Sequence, residues 1–236
     1  MPDTGASAQD FQAAFARMEA AVDGGDSDLR EFWGLIRRVK ADPALVERWA
    51  EVAGRIDRMA FERRVRPRFP VWLGNALLVA GVLVGVAAIV YATQCDNRTV
   101  SGALLVAAGA ILTVSVHDLA HWVWGRAVGM RFVCYFLDGP FRVQPGLKTD
   151  YVTYLRTPPR SRAAMHASGA VASKLAPVVP LAAAPSAHAP LWAVLALAGL
   201  TVFQILTDLT FSVRRSDWKR VRRELAVARA QERREG

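Results

Sequence analysis

Residues 101–128 form an apolar run of bilayer-spanning length, and His117-Asp118-Leu119-Ala120-His121 lies in its second half. A spanning segment must be a helix or part of a closed barrel, because hydrocarbon offers no water to satisfy open backbone groups. About 20 apolar residues suffice for a helix. Ionisable groups at that depth are expensive and mark function by default, and here three fall within five residues. Histidines four apart share one helix face, one turn from each other, so both imidazoles can reach a single metal ion. The pattern H-E-x-x-H uses that spacing to hold zinc.

The remaining apolar residues, part of the 53% of this 236-residue chain that is hydrophobic, gather in similar runs. Residues 71–93, 163–184 and 191–213 are each long enough to span a bilayer, although Pro177, Pro180 and Lys174 interrupt the third of the four runs. Lysine and arginine alternate between the connecting loops. Arg63, Arg64, Arg66 and Arg68 precede the first run. Arg126, Arg131, Arg142, Lys148, Arg156, Arg160 and Arg162 lie between the second and third, and Arg214, Arg215, Lys219, Arg220, Arg222 and Arg223 follow the fourth. Residues 94–100 carry one arginine and residues 185–190 carry neither basic residue. The positive-inside rule then places both termini in the cytoplasm and the histidine pair in the cytoplasmic half of its helix. The first 20 residues lack the basic start and apolar core of a secretory leader, so the first membrane helix is expected to target the chain.

The expected fold is mainly α: a polytopic membrane protein with about four transmembrane helices, a short strand insertion and a small N-terminal helical bundle. Residues 1–69 read as a soluble cytoplasmic helical segment, 70–213 as the membrane domain and 214–236 as a basic cytoplasmic tail helix. In the first segment Phe11, Phe15, Met18 and Val22 form one helical stripe and Leu29, Phe32, Trp33, Ile36 and Val39 a second. Gly24-Gly25 separates them. Asp42-Pro43 is a cap followed by proline at the first helical position, and Leu45, Val46, Trp49, Val52, Ile56 and Met59 line a third helix. This bundle is expected to pack on itself. Within residues 130–155, Phe132 to Phe136, Phe141 to Val143 and Tyr151 to Tyr154 read as short strands punctuated by Gly139-Pro140 and Pro145-Gly146.

The net charge of +9 sits flush against the apolar runs. That position favours anionic lipid headgroups as partners. No aromatic interleaving accompanies it, so nucleic acid is not an expected partner. Cys95 and Cys134 fall on opposite sides of the membrane in this topology, so no disulfide is expected between them. Asn97-Arg98-Thr99 matches a short sequon, and nothing else suggests a eukaryotic secretory protein. A prokaryotic inner or plasma membrane is the expected location.

The order of these features resembles the site-2 protease family of intramembrane zinc metalloproteases. His117-Asp118-Leu119-Ala120-His121 matches the family's histidine motif, and strand-like segments follow it. Ala167-Ser168-Gly169-Ala170-Val171-Ala172-Ser173 looks like the family's glycine motif, with Ser173 where asparagine is usual. Ser216-Asp217-Trp218-Lys219-Arg220 looks like its aspartate motif. The resemblance spans about half the chain. It implies an endopeptidase acting on membrane-embedded protein substrates, with zinc held by His117, His121 and Asp217. Asp118 stands where the family has its general-base glutamate, one methylene shorter, and the proline and glycine of the aspartate motif are missing.

The third ligand has two candidates. The resemblance implies Asp217 by its motif order, whereas the residues themselves point to Asp208, which lies inside the fourth apolar run at a depth closer to the histidines. His166 opens the third run near the cytoplasmic boundary and reads as a satisfied interfacial histidine, ahead of one that orients substrate or lines the site. Two alternatives stand beside the peptidase: a catalytically inactive homologue that binds membrane proteins without cutting them, and a haem- or ion-handling membrane protein ligated by His117 and His121.

Overall fold

A computed structural model describes residues 8–26, 28–138, 144–210 and 216–235, with backbone alone at 138, 144, 207–210 and 235. The three N-terminal stripes form α1 (Ala8–Asp23), α2 (Arg30–Lys40) and α3 (Pro43–Arg64). Gly25 follows α1 with φ +96°, a left-handed conformation that glycine adopts without steric cost. The Asp42 carboxylate accepts from the Ala44 backbone N–H and caps α3, with Pro43 behind it. Phe11, Phe15, Phe32, Ile36, Trp49 and Ile56 are buried between the three helices, and the rings of Phe15 and Trp49 stack at 5.4 Å.

The bundle does not close on itself as expected. Leu155 is part of its core, and Tyr151 and Val152 pack against it. These residues belong to α6 (Tyr151–Arg156), so the segment expected as a strand from Tyr151 to Tyr154 is a helix. Asp150 is the physical reason. Its side chain accepts from the Thr153 backbone N–H and caps the turn, while the apolar side of that turn is buried by α3. Gly54 admits the approach, since a Cβ there would collide with Val152.

The strand insertion is a three-stranded antiparallel sheet in the order β1 (Arg68–Phe69), β2 (Phe132–Asp138), β3 (Gln144–Thr149). Phe69 pairs with Tyr135, and Tyr135 pairs in turn with Leu147. The first strand, read in the sequence as part of a basic juxtamembrane stretch, contributes the sheet edge. The expected strand at Phe141 to Val143 lies outside the described residues.

Among the described residues, two helices are long and apolar enough to cross a membrane, α4 (Val71–Ala92) and α5 (Arg98–Ala127), which are two of the four spans expected. The third run is divided into α7 (Pro159–Leu175) and the short α8 (Val178–Ala183), with Pro177 between them. A proline inside a helix removes a hydrogen bond and clashes with the preceding turn. The fourth run forms α9 (Leu191–Thr210), whose described apolar stretch is Leu191–Leu206. Small residues let these helices approach closely. Gly81 and Gly85 of α4 face Ser115 and Leu112 of α5, and Gly109 of α5 faces Leu197 of α9. The outward faces stay apolar and open: Trp72, Leu77, Leu83 and Val90 on α4, and Leu195, Val202 and Phe203 on α9, are exposed.

The charged tail forms α10 (Asp217–Glu235). Val221, Glu224 and Ala228 recur on one helix face and are buried, and α10 packs along α7. That docking brings Asp217 beside the histidines.

Candidate metal centre

His117 and His121 project from one face of α5, with ring centroids 4.7 Å apart and ring planes nearly perpendicular. His121 is buried and His117 is partly open. Each offers Nδ1 to α7. His121 Nδ1 lies 2.6 Å from the Met165 carbonyl oxygen. His117 Nδ1 lies 3.1 Å from the Gly169 carbonyl oxygen and 3.4 Å from Ser173 Oγ. A carbonyl oxygen only accepts, so both Nδ1 atoms must carry the proton and donate it. In the neutral ring that leaves Nε2 as a lone pair.

Asp217, at the first turn of α10, places Oδ2 3.3 Å from Nε2 of His117 and 3.3 Å from Nε2 of His121. Two ring lone pairs and a carboxylate oxygen therefore converge, an arrangement that a shared proton or a metal ion would bridge. The spacing suits a metal. Donors about 2.0–2.2 Å from a tetrahedral ion stand roughly 3.3–3.6 Å from one another. The pinned Nδ1 atoms supply the outer hydrogen bonds that metal-ligating histidines need to fix their tautomer and ring plane.

Asp118 shares the site. His117, Asp118 and His121 could hold a metal ion, with their donor atoms within 4.8 Å of one another. Asp118 is 5% exposed, and its Oδ2 is buried without a hydrogen-bond partner. Asp217 and Asp118 thus differ. The Asp217 carboxylate meets both histidines, while Asp118 holds one oxygen free beside them. The side chain of Asp208, the other candidate ligand, lies outside the described ones.

Three features of the centre depend on contacts that sequence spacing alone does not report. The α7 carbonyls of Met165 and Gly169 orient the two imidazoles. Gly169 itself leaves no space: a Cβ there would stand 2.5 Å from His121 Cε1 and 2.6 Å from Cδ2. His166, weighed in the sequence as interfacial or as lining the site, is buried with Nδ1 3.8 Å from Asp217 Oδ1. The spacing of His166, Gly169 and Ser173, three and then four residues apart, was the available signal, because it puts all three on one face of α7. Arg220, one turn along α10, lies 3.6 Å from Asp217 Oδ1.

Comparison with protein-family models, with curated proteins and with solved structures finds no match to this chain.

Proposed function

We propose that this chain is an intramembrane zinc-dependent endopeptidase of the site-2 protease kind, with His117, His121 and Asp217 holding the metal and Asp118 as general base. The observation that carries the reading is the equal 3.3 Å approach of Asp217 Oδ2 to both Nε2 atoms, whose opposite nitrogens are pinned by backbone carbonyls. Two His and one carboxylate, with room for a water or substrate, are the ligand set of catalytic zinc sites. The same carboxylate argues against haem, since Asp217 fills the space beside both ring nitrogens.

Zinc bound there supplies Lewis acidity toward a peptide carbonyl and a water near neutral pH. Asp118 Oδ2, free of other partners, takes the proton as the water oxygen bonds to the carbonyl carbon. It returns that proton to the amide nitrogen as the C–N bond breaks. Water is thereby added across the peptide bond. The open apolar faces of α4 and α9 suit a bilayer, with α7 and α8 completing the bundle, both termini on the cytoplasmic side and the basic stretches against anionic headgroups. The substrate is a membrane-embedded protein segment, unwound so that a peptide bond reaches the centre.

The inactive-homologue reading has one observation in its favour, the deep burial of the shorter Asp118. Cleavage of a reconstituted membrane-helix substrate in liposomes separates the two. The peptidase reading expects cleavage by the native chain, loss of both metal and cleavage in His117→Ala, and retained metal without cleavage in Asp118→Asn. Bound zinc with no cleavage of any panel substrate favours the inactive reading.

A further inference from the structure

A buried polar network among the described residues ends beside the candidate metal centre. Glu224 of α10 is buried and meets three donors. Arg162 Nε lies 2.6 Å from its Oε2, while Lys40 Nζ and the Tyr154 hydroxyl, the latter at 3.0 Å, both reach Oε1. Burial opposes its charge, but Lys40 and Arg162 hold its carboxyl below the ordinary value. An ionised carboxylate only accepts, so Tyr154 must donate its single proton to Glu224. The Tyr154 oxygen also lies 2.9 Å from His166 Nε2. Its proton is already committed, so it accepts there, and His166 Nε2 must be the protonated nitrogen. The neutral ring then presents Nδ1 as a lone pair on the side of Asp217 Oδ1, 3.8 Å away.

The two acceptors face each other with the Arg220 guanidinium 3.6 Å from the same Oδ1, and a donor standing between them would satisfy both. We infer that His166 is a further residue of the centre: its Nδ1 is a hydrogen-bond acceptor, held open by Tyr154 and Glu224, for the water or substrate N–H that occupies the position beside the metal. The inference rests on the metal-centre reading. His166 is not itself a ligand, because its approach is to the far oxygen of Asp217, not to Oδ2, which meets the two ligating histidines. The device repeats the one on α5 with the nitrogens exchanged. There backbone carbonyls fix Nδ1–H and free Nε2; here a tyrosine oxygen fixes Nε2–H and frees Nδ1. It also ties the centre to the N-terminal bundle, since Lys40 ends α2.

The test uses the full chain in detergent, loaded with cobalt(II), whose visible absorption reports the ion's surroundings, together with ¹⁵N spectra of histidine-labelled protein. Two substitutions separate the ends of the ring. His166→Gln places a polar group near the Nε2 position and keeps a partner for Tyr154, but removes the acceptor at the centre. His166→Asn keeps an acceptor near the Nδ1 position and loses the contact to Tyr154. The inference expects His166→Gln to shift the cobalt spectrum and weaken metal binding about 10- to 100-fold, the range for outer-shell partners. His166→Asn stays closer to the native protein. Tyr154→Phe is expected to shift the ¹⁵N pattern away from a neutral Nε2–H ring. If His166→Gln behaves as native while His166→Asn does not, His166 serves only to anchor Tyr154 and the inference fails. Complete loss of stoichiometric metal in both variants would make His166 a direct ligand and also overturn it. A His117→Ala control keeps the two levels apart: if it retains metal, the metal-centre reading fails first.

Discussion

Replacing Gly169 with alanine tests the packing of the centre without substituting any proposed ligand. The added Cβ would stand 2.5 Å from His121 Cε1 and 2.6 Å from Cδ2, whereas ordinary contact begins at 3.4 Å. His121 Nε2 would be nearer still, so restoring ordinary contact moves the ring by about 1 Å, or moves α7 away by as much. The ring has little freedom to comply, because its Nδ1 is held 2.6 Å from the Met165 carbonyl on the same helix that carries the intruding methyl. Metal–ligand distances tolerate only about 0.2 Å. Gly169→Ala should therefore lose metal affinity by at least the 10- to 100-fold seen for outer-shell damage, and lose roughly 1–3 kcal/mol of stability to overpacking. Metal titration with a chromophoric competitor measures the first, and thermal melts of apo protein in detergent measure the second. Adding His121→Ala to Gly169→Ala should recover the melting temperature but not the metal, because the clash is with that ring. Native affinity in Gly169→Ala would refute the reasoning, since His121 would then not ligate from the position described.

Three further outcomes follow from other parts of the molecule. Asp118→Glu should keep metal and preserve or raise cleavage, because it lengthens the base's reach from the same helix position; loss of cleavage with full metal content would count against Asp118 as the base. Glu224 is held below its ordinary value of 4.5, so its contribution to stability is present above that pH and fades as the pH falls through the lowered folded value. Glu224→Gln should cost about 3–5 kcal/mol at neutral pH, as breaking a buried ion pair does, and should flatten the fall in melting temperature below about pH 5; an unchanged pH profile would contradict the role given to it. For topology, Cys95 should react with an impermeant thiol reagent in intact cells, while an exposed Gln12→Cys should react only after lysis. Cys134 is silent in this assay because it is buried.

Asp217 was reached only through the motif order of the resemblance, with Asp208 beside it, whereas the shared face of His117 and His121 was legible because helical spacing within a membrane-length run constrains so few alternatives. The three N-terminal helices were legible for the same reason, helped by the Asp42-Pro43 cap. Tyr151 to Tyr154 misled because aromatic and β-branched residues favour strands, whereas a cap at Asp150 and burial against α3 decide the local structure. Counting apolar runs gave Pro177 too little weight as a break, so the third run was read as one helix where two stand. His166 was undervalued because its meaning depends on Tyr154, Glu224 and Asp217, which lie 12, 58 and 51 residues away in the chain. No local pattern reports a proton's direction through such a network.

Metal content is the most direct test of the central claim. Full-length protein purified in detergent without added metal, then loaded with one equivalent of zinc and desalted, should retain close to one ion per chain. The His117→Ala, His121→Ala double variant and Asp217→Ala should each retain none, while Asp208→Ala should match the native protein. Full retention by the histidine variant would contradict the metal centre outright, and full retention by Asp217→Ala would remove the third ligand on which the peptidase reading rests.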